Sequence, residues 1–130
     1  MMKKSFLAVL TIVFGLMISA SLSLAQFNGT HIYSLHLEGE EQGYVTVTFN
    51  PDGTIVGEAR LLFEEKPLPL LGRWGKTIFV IKYRLSDNTV ILDHCRFVSD
   101  TEFIGFERSS KDGVAVEGIA RIFGSERENI

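Results

Sequence analysis

The fold is decided by residues 44–63, which read YVTVTFNPDGTIVGEARLLF. Apolar and polar residues alternate on both sides of the central NPDG, and this two-residue period is typical of a half-buried β-strand. Pro51 presets its φ angle for a turn, and Gly53 accepts the left-handed conformation that leads into the next strand. The segment therefore predicts a tight antiparallel hairpin with strands over 44–49 and 54–63.

The same rhythm continues in both directions from this hairpin. Short stretches rich in β-branched and aromatic residues are separated by turn residues, and none of them shows a helical period. Six further strands are predicted, over 30–38, 70–74, 77–85, 89–98, 101–108 and 114–123. Residues 64–69 are assigned to a loop, because Pro67 and Pro69 cannot donate to the ladder of a central strand.

The connections indicate how these eight strands are arranged. Sequential strands joined by hairpin-length loops pair antiparallel with their neighbours, so the sequence predicts an all-β, up-and-down meander. Eight strands close into a small barrel whose interior side chains can fill it, and closure removes exposed edges. A two-sheet β-sandwich is the alternative, because periodicity alone does not separate the two architectures.

The N-terminal segment has a different character. Lys3 and Lys4 precede an apolar stretch over 6–18, and small residues follow it up to Ala25. This layout is typical of a secretory signal peptide, and the apolar stretch is shorter than the roughly 20 residues that a membrane-spanning helix needs. We predict a signal peptide over 1–25, cleavage before Gln26, and a periplasmic or extracellular mature chain without stable membrane insertion.

The remaining chain has the length of one domain, which we place over 26–124 with a frayed tail over 125–130. The formal net charge of −3 becomes two units more negative when the two lysines of the signal peptide are lost. An acidic chain without a clustered basic face is not expected to bind nucleic acid. Cys95 is the one cysteine, so no internal disulfide can form, and a buried small hydrophobe is its predicted role.

Familiar catalytic and metal-binding motifs do not occur in the sequence. It contains no Gly-x-Ser-x-Gly elbow, P-loop, dinucleotide fingerprint or His-Glu-x-x-His motif. His31 and His36 are five residues apart, so on one strand they point to opposite faces unless a bulge intervenes. We therefore predict a protein that is not an enzyme and that needs no metal or other cofactor.

The sixth predicted strand carries polar groups on both of its faces. One face has Asp93 and Cys95 among its apolar residues, and the other has His94 and Arg96. Whichever face points inward brings an ionisable group into the interior, where a charge needs a partner or a ligand. In one interpretation, Arg96 and His94 bind the carboxylate of an apolar ligand. In the other, they lie at the barrel rim or pair with an acidic residue across the hairpin.

These observations predict a barrel that binds a small apolar or amphipathic ligand in its interior. The candidate ligand-binding residues combine aromatic contact area with a polar end, and they are Tyr33, Trp74, Tyr83, His94 and Arg96. A protein-binding or inhibitory module with a filled interior is the alternative. Cavity volume separates the two, because ordinary ligand pockets begin near about 300 Å³. The sequence does not specify the oligomeric state.

Three leucines lie in or beside the proline-bearing loop, where solvated side chains are expected. They are Leu68, Leu70 and Leu71. One hypothesis is that they form a lid over one end of a cavity, and the alternative is a loop that packs permanently over the core.

Gly72-Arg73-Trp74 resembles the Gly-x-Trp signature of lipocalin-like barrels. Members of that family are secreted eight-stranded meanders that bind small apolar ligands, and some distant small bacterial barrels inhibit proteases. The resemblance implies the same fold, with ligand binding or inhibition of a partner protein. In the family the motif lies on the first strand, whereas three predicted strands precede it here, so the resemblance carries over no ligand-site residues. Without that role, Trp74 is a core aromatic that plugs one barrel end.

Overall fold

The computed structural model describes residues 29–116 and 118–127, and the predicted signal peptide lies outside them. The strands are β1 (Gly29–Leu37), β2 (Glu40–Phe49), β3 (Thr54–Leu61), β4 (Leu68–Gly75), β5 (Ile78–Arg84), β6 (Val90–Phe97), β7 (Glu102–Lys111), β8 (Val114–Ala115) and β9 (Ala120–Glu126). β1 to β7 pair in chain order, and β9 pairs with both β7 and β1. Eight antiparallel strands therefore close into a barrel in meander order, as predicted, and the short β8 pairs with the end of β7 outside it.

The hairpin between β2 and β3 forms as the sequence predicts. Inside the turn, the Gly53 N–H donates to the Asn50 carbonyl over 3.0 Å, and Gly53 has a φ of 90°. The Asp52 carboxylate accepts hydrogen bonds from the hydroxyl and the N–H of Thr54, and these bonds hold the Asp52 pKa below its usual value. The turn thus fixes the register in which alternate residues of β2 and β3 enter the core.

β4 begins inside the segment predicted as a loop, at Leu68 rather than at Leu70. Pro69 lies opposite Glu58 of β3, but pairing of β4 with β5 starts only at Leu70. At Pro69 β4 is therefore paired on one side only. The N–H that proline lacks is not needed on the other side, because no strand is paired there. The prediction failed because it treated the proline as if both neighbours were present.

The last predicted strand, over 114–123, is divided in the structure. β7 runs on to Lys111, and the Asp112-Gly113 turn joins it to β8, whereas β9 starts at Ala120. β9 then continues to Glu126, because it lies between β1 and β7 and is hydrogen-bonded to both. Residues 125 and 126 thus belong to the barrel wall and not to a frayed tail.

Neighbouring strands of the barrel wall approach closely where some inward positions are glycine. A Cβ atom on Gly57 would collide with the Thr46 carbonyl oxygen of the neighbouring strand, and one on Gly105 would collide with the His94 carbonyl oxygen. Such close approaches are typical of small barrels whose strands close around a narrow interior.

The core fills this interior from one barrel end to the other. Its fully buried members include Tyr33, Phe49, Ile81 and Phe103. Across residues 29–116 and 118–127 there is no helix long and apolar enough to span a membrane.

Candidate functional site

An aromatic cluster occupies the barrel interior. The Phe103 ring packs edge-on against Phe79, with ring centroids 4.9 Å apart, and against Tyr33 at 5.2 Å. Phe49 and Phe97 extend the cluster toward the end that holds the β2–β3 turn. At the opposite end, a cavity that reaches the core has a volume of only about 20 Å³. The interior thus lacks the room that the predicted internal ligand requires.

The three aromatic candidate residues all belong to this packed interior. Tyr33 is fully buried, and its hydroxyl has no hydrogen-bond partner among the described residues. Trp74 is half-buried at the end that holds the β2–β3 turn, where its Nε1–H donates to the Asn50 carbonyl over 2.8 Å. Tyr83 is buried toward the other end. Trp74 therefore plugs one barrel end, and the three side chains do not line a common cavity.

A pair of carboxyl groups lies near Tyr83. Asp93 on β6 is directly opposite Glu107 on β7, and Asp93 is fully buried. Burial and the nearby Glu107 charge raise the Asp93 pKa well above its usual value. Burial and Asp93 likewise raise the pKa of Tyr83 and that of the Cys95 thiol, which is buried as predicted. Asp93 therefore keeps its proton to a higher pH than an ordinary aspartate, an arrangement that the mixed faces of β6 did not reveal in the sequence.

His94 and Arg96 lie on the outer face of β6. Asp93, Cys95 and Phe97 take the inward positions of this strand, so the alternate residues face away from the core. Glu107 faces inward beside Asp93 and is therefore not available to Arg96 across the hairpin. His94 and Arg96 therefore cannot contact an internal ligand. Both side chains belong to one external surface.

That surface is formed by two rows of side chains that cross β1, β5, β6, β7 and β9. In the register of the sheet, the first row consists of Ile78, Arg96, Ile104, Phe123 and His36. The second row consists of Val80, His94, Phe106, Arg121 and, beyond the end of β1, Glu38. Between and above these rows lies a cavity of about 710 Å³, which we call the outer groove. Its lining includes Gly105, where the neighbouring backbone leaves no room for a Cβ atom.

The outer groove is lined by several exposed apolar side chains. Ile78 and Phe106 are more than half exposed, at 58% and 54%, and Ile104 and Phe123 are exposed at 39% and 36%. Neighbouring apolar side chains left in contact with water on one face typically mark a binding surface. The alternation of apolar and polar residues along each strand predicts which of its residues share a face. The register between β5, β6, β7 and β9 is what brings Ile78, Ile104, Phe106 and Phe123 together.

Two arginines give the groove its charge. Arg121 donates hydrogen bonds to the Glu38 carboxylate from its side chain, at 3.1 Å, and from its backbone N–H, at 2.8 Å. These bonds lower the Glu38 pKa. Arg96 forms no ion pair with any residue in the described part of the chain. One uncompensated guanidinium group therefore lies among apolar side chains.

The predicted leucine lid does not form. Leu68 and Leu70 are inward residues of β4 and belong to the core, whereas Leu71 faces solvent on the outer wall. The alternation of a strand that begins at Leu68 explains all three positions. The lid hypothesis is wrong because the leucines lie on a strand and not on a loop.

The two histidines of β1 are separated by a bulge between Leu35 and His36. His31 bonds to the Glu126 carboxylate through Nδ1 over 2.7 Å, which fastens β1 to β9. His36 lies in the outer groove beside the Phe123 ring. Within residues 29–116 and 118–127, no three His, Cys, Asp or Glu side chains come together in a group that can hold a metal ion.

Comparisons with known proteins show a likeness of fold. No family model matches the chain, and no curated protein matches it. Rhizavidin in complex with biotin superposes with a TM-score of 0.62 at 12% identity, over 79% of this chain and 95% of that chain. Apo shwanavidin gives a TM-score of 0.62 at 11% identity, over 77% and 95%. The small eight-stranded barrel that the lipocalin-like resemblance implies is therefore confirmed as an architecture. The fold is similar to that of the avidin-like eight-stranded barrels.

Proposed function

We propose that this chain is a non-enzymatic binding barrel that holds a small apolar or amphipathic molecule in the outer groove. The observation that carries the proposal is the contrast in volume between the two spaces. The outer groove has about 710 Å³, within the range of about 300 to 1,000 Å³ typical of ligand pockets, whereas the internal cavity has about 20 Å³. The ligand predicted for the interior is thus assigned to the outer wall.

This assignment changes the roles of the candidate residues. His94 and Arg96 stay as ligand-binding candidates because both line the groove. Tyr33, Trp74 and Tyr83 are proposed to stabilise the barrel by packing. The complex of rhizavidin with biotin supports the proposal in general terms, since it is a small molecule bound by a barrel of this fold.

A neutral apolar fluorophore, N-phenyl-1-naphthylamine, tests the proposal directly. We expect its fluorescence to rise on binding to the native protein, and Phe106→Ser to weaken binding about ten- to a hundredfold, because the burial of a phenylalanine is worth about 1.5–3 kcal/mol. Leu71→Ser is the matched control, since Leu71 is an exposed apolar strand residue outside the groove. Absence of binding, or equal affinity in the two variants, would contradict the proposal.

Protein binding is the second candidate function, and the filled interior favours it. The same apolar face that can hold a small molecule can also be covered by a partner. A photo-crosslinking amino acid at Ile104 separates the two functions in the cell of origin. A discrete protein adduct there, together with no uptake of the fluorophore, would favour the partner protein.

Export is the remaining part of the proposal. The layout of residues 1–25 supports it, with two lysines, an apolar stretch and small residues before the cleavage site. N-terminal sequencing of protein recovered from its own cell should begin at Gln26. Full-length protein in the membrane fraction would contradict cleavage.

A further inference from the structure

Arg96 occupies an unusual position for an arginine on a barrel wall. In the register of the sheet, its two cross-strand neighbours are Ile78 on β5 and Ile104 on β7, and neither is acidic. A guanidinium group prefers a planar anion that accepts two parallel hydrogen bonds. Apolar neighbours exclude water from such a contact and so strengthen it.

The charges of the groove indicate a ligand with one anionic group. Arg121 is already paired with Glu38, so Arg96 is the guanidinium that stays available. The chain as a whole is acidic, with a formal net charge of −3, yet this face carries two arginines and one glutamate. A second copy of the chain would bring like charges together across the face, whereas a small anion would complement Arg96.

The shape of the groove indicates the rest of the ligand. From Arg96, the first row continues over Ile104 and Phe123 to His36, across three strand spacings. Neighbouring strands lie about 4.8 Å apart, so this path is about 14 Å long. Phe106 of the second row lies alongside it. An extended apolar chain would cover these side chains from one side.

We infer that the outer groove binds an amphiphilic monoanion, a carboxylate with an extended apolar chain, whose carboxylate is held by Arg96. This inference rests on the proposed function of the groove and names the class of its ligand. The chain lies across the strands over Ile104 and Phe123. The carboxylate supplies the charge that Arg96 lacks among the described residues.

A competition experiment with two ligands of equal chain length tests the inference. Dodecanoate and dodecanol each displace N-phenyl-1-naphthylamine from the native protein, and we expect dodecanoate to bind about ten- to a hundredfold more tightly, as is typical of hydrogen bonds to charged groups. In Arg96→Gln this preference should be lost, because a neutral amide does not form an ion pair with the carboxylate. Arg108→Gln is the matched control, because Arg108 is exposed on the outer face of β7 outside the groove.

The outcomes separate this inference from the proposed function. If the fluorophore binds but dodecanoate and dodecanol compete equally, or if the preference for dodecanoate persists in Arg96→Gln, the inference is overturned and the proposed function stands. If the fluorophore does not bind the native protein at all, the proposed function fails as well. Partial retention of the preference in Arg96→Lys would support a role for the positive charge.

Discussion

Asp93 is an acidic side chain held away from water, and its protonation links stability to pH. The unfolded chain titrates this group near the ordinary pKa of 3.8, whereas the folded chain keeps the proton to a higher pH. The folded state therefore binds more protons between those two pKa values. It follows that the free energy of unfolding falls as the pH rises from about 3.8 through the raised pKa.

Asp93→Asn should remove this dependence, because an amide does not ionise and still fills the same space. We expect urea unfolding of the variant to show a flatter pH profile from pH 4 to 8. At pH 8 its free energy of unfolding should exceed that of the native chain by about 1–3 kcal/mol, the range for a buried polar group without adequate partners. Asp112→Asn, at an exposed turn position, is the control and should keep the native slope. An identical slope in Asp93→Asn would contradict the assignment.

Cys95 should be inert in the folded protein. The thiol is buried and its pKa is raised by burial, so both access and the reactive thiolate are scarce. We expect iodoacetamide to alkylate it more than about a hundredfold more slowly than in denaturant, because a domain stabilised by about 5 kcal/mol is rarely unfolded. Mass spectrometry of the modified protein measures the rate. Rapid alkylation under native conditions would show that the thiol is accessible.

Local turns and pairing with neighbouring strands both position each strand. A local turn can be predicted from its own residues, whereas strand pairing depends on distant parts of the chain. The NPDG hairpin is local, so its residues predict it correctly. The loop predicted at Pro69 is wrong, because a strand tolerates proline where the side that lacks the N–H has no paired neighbour. The division between β8 and β9 depends in the same way on pairing with β1.

The inward face of β6 could not be chosen from the strand itself, because both faces mix apolar and ionisable residues. The partner strands decide it, since Glu107 of β7 lies opposite Asp93 and its charge helps to raise the Asp93 pKa. For the same reason, the candidate site was only partly predicted. The sequence predicts His94 and Arg96 as ligand-binding residues. The apolar residues beside them come from β5, β7 and β9, and strand register is a long-range property.

The close approach of backbone at Gly57 leads to a prediction at the scale of the strand. Gly57→Ala would place a Cβ against the Thr46 carbonyl oxygen and the Val47 backbone, so we expect a loss of about 3 kcal/mol in the free energy of unfolding. Gly75→Ala is the matched control. Gly75 also lies on a strand of the barrel, but the position of its Cβ is open space, and the change should stay within about 0.5 kcal/mol. Equal effects would show that the wall can relax at Gly57.

The described part of the chain is a barrel stabilised by a filled interior, and its one cysteine is free. Phe103→Ala should therefore be severe, with a loss of about 3–5 kcal/mol by urea unfolding. The resulting cavity should bind xenon, whereas we expect no xenon binding in the filled native interior. Phe63→Ala removes an exposed phenylalanine and should cost less than about 0.5 kcal/mol. A small effect at Phe103 would mean that the aromatic cluster repacks.

The pairing of β1 with β9, which includes the His31–Glu126 ion pair, also has a consequence for the order of folding. The His31–Glu126 pair joins residues 95 positions apart and lies where β1 pairs with β9. Of the other strand pairings in the wall, all except that of β7 with β9 link strands that are consecutive in the chain. Contacts between distant residues carry the largest loop-closure entropy and form slowly. The meander should therefore assemble first as an open sheet with two free edges, and the final closure should limit the folding rate. Weakening the His31–Glu126 pair would prolong the open intermediate. The free strand edges of that intermediate should make it aggregate before the barrel closes.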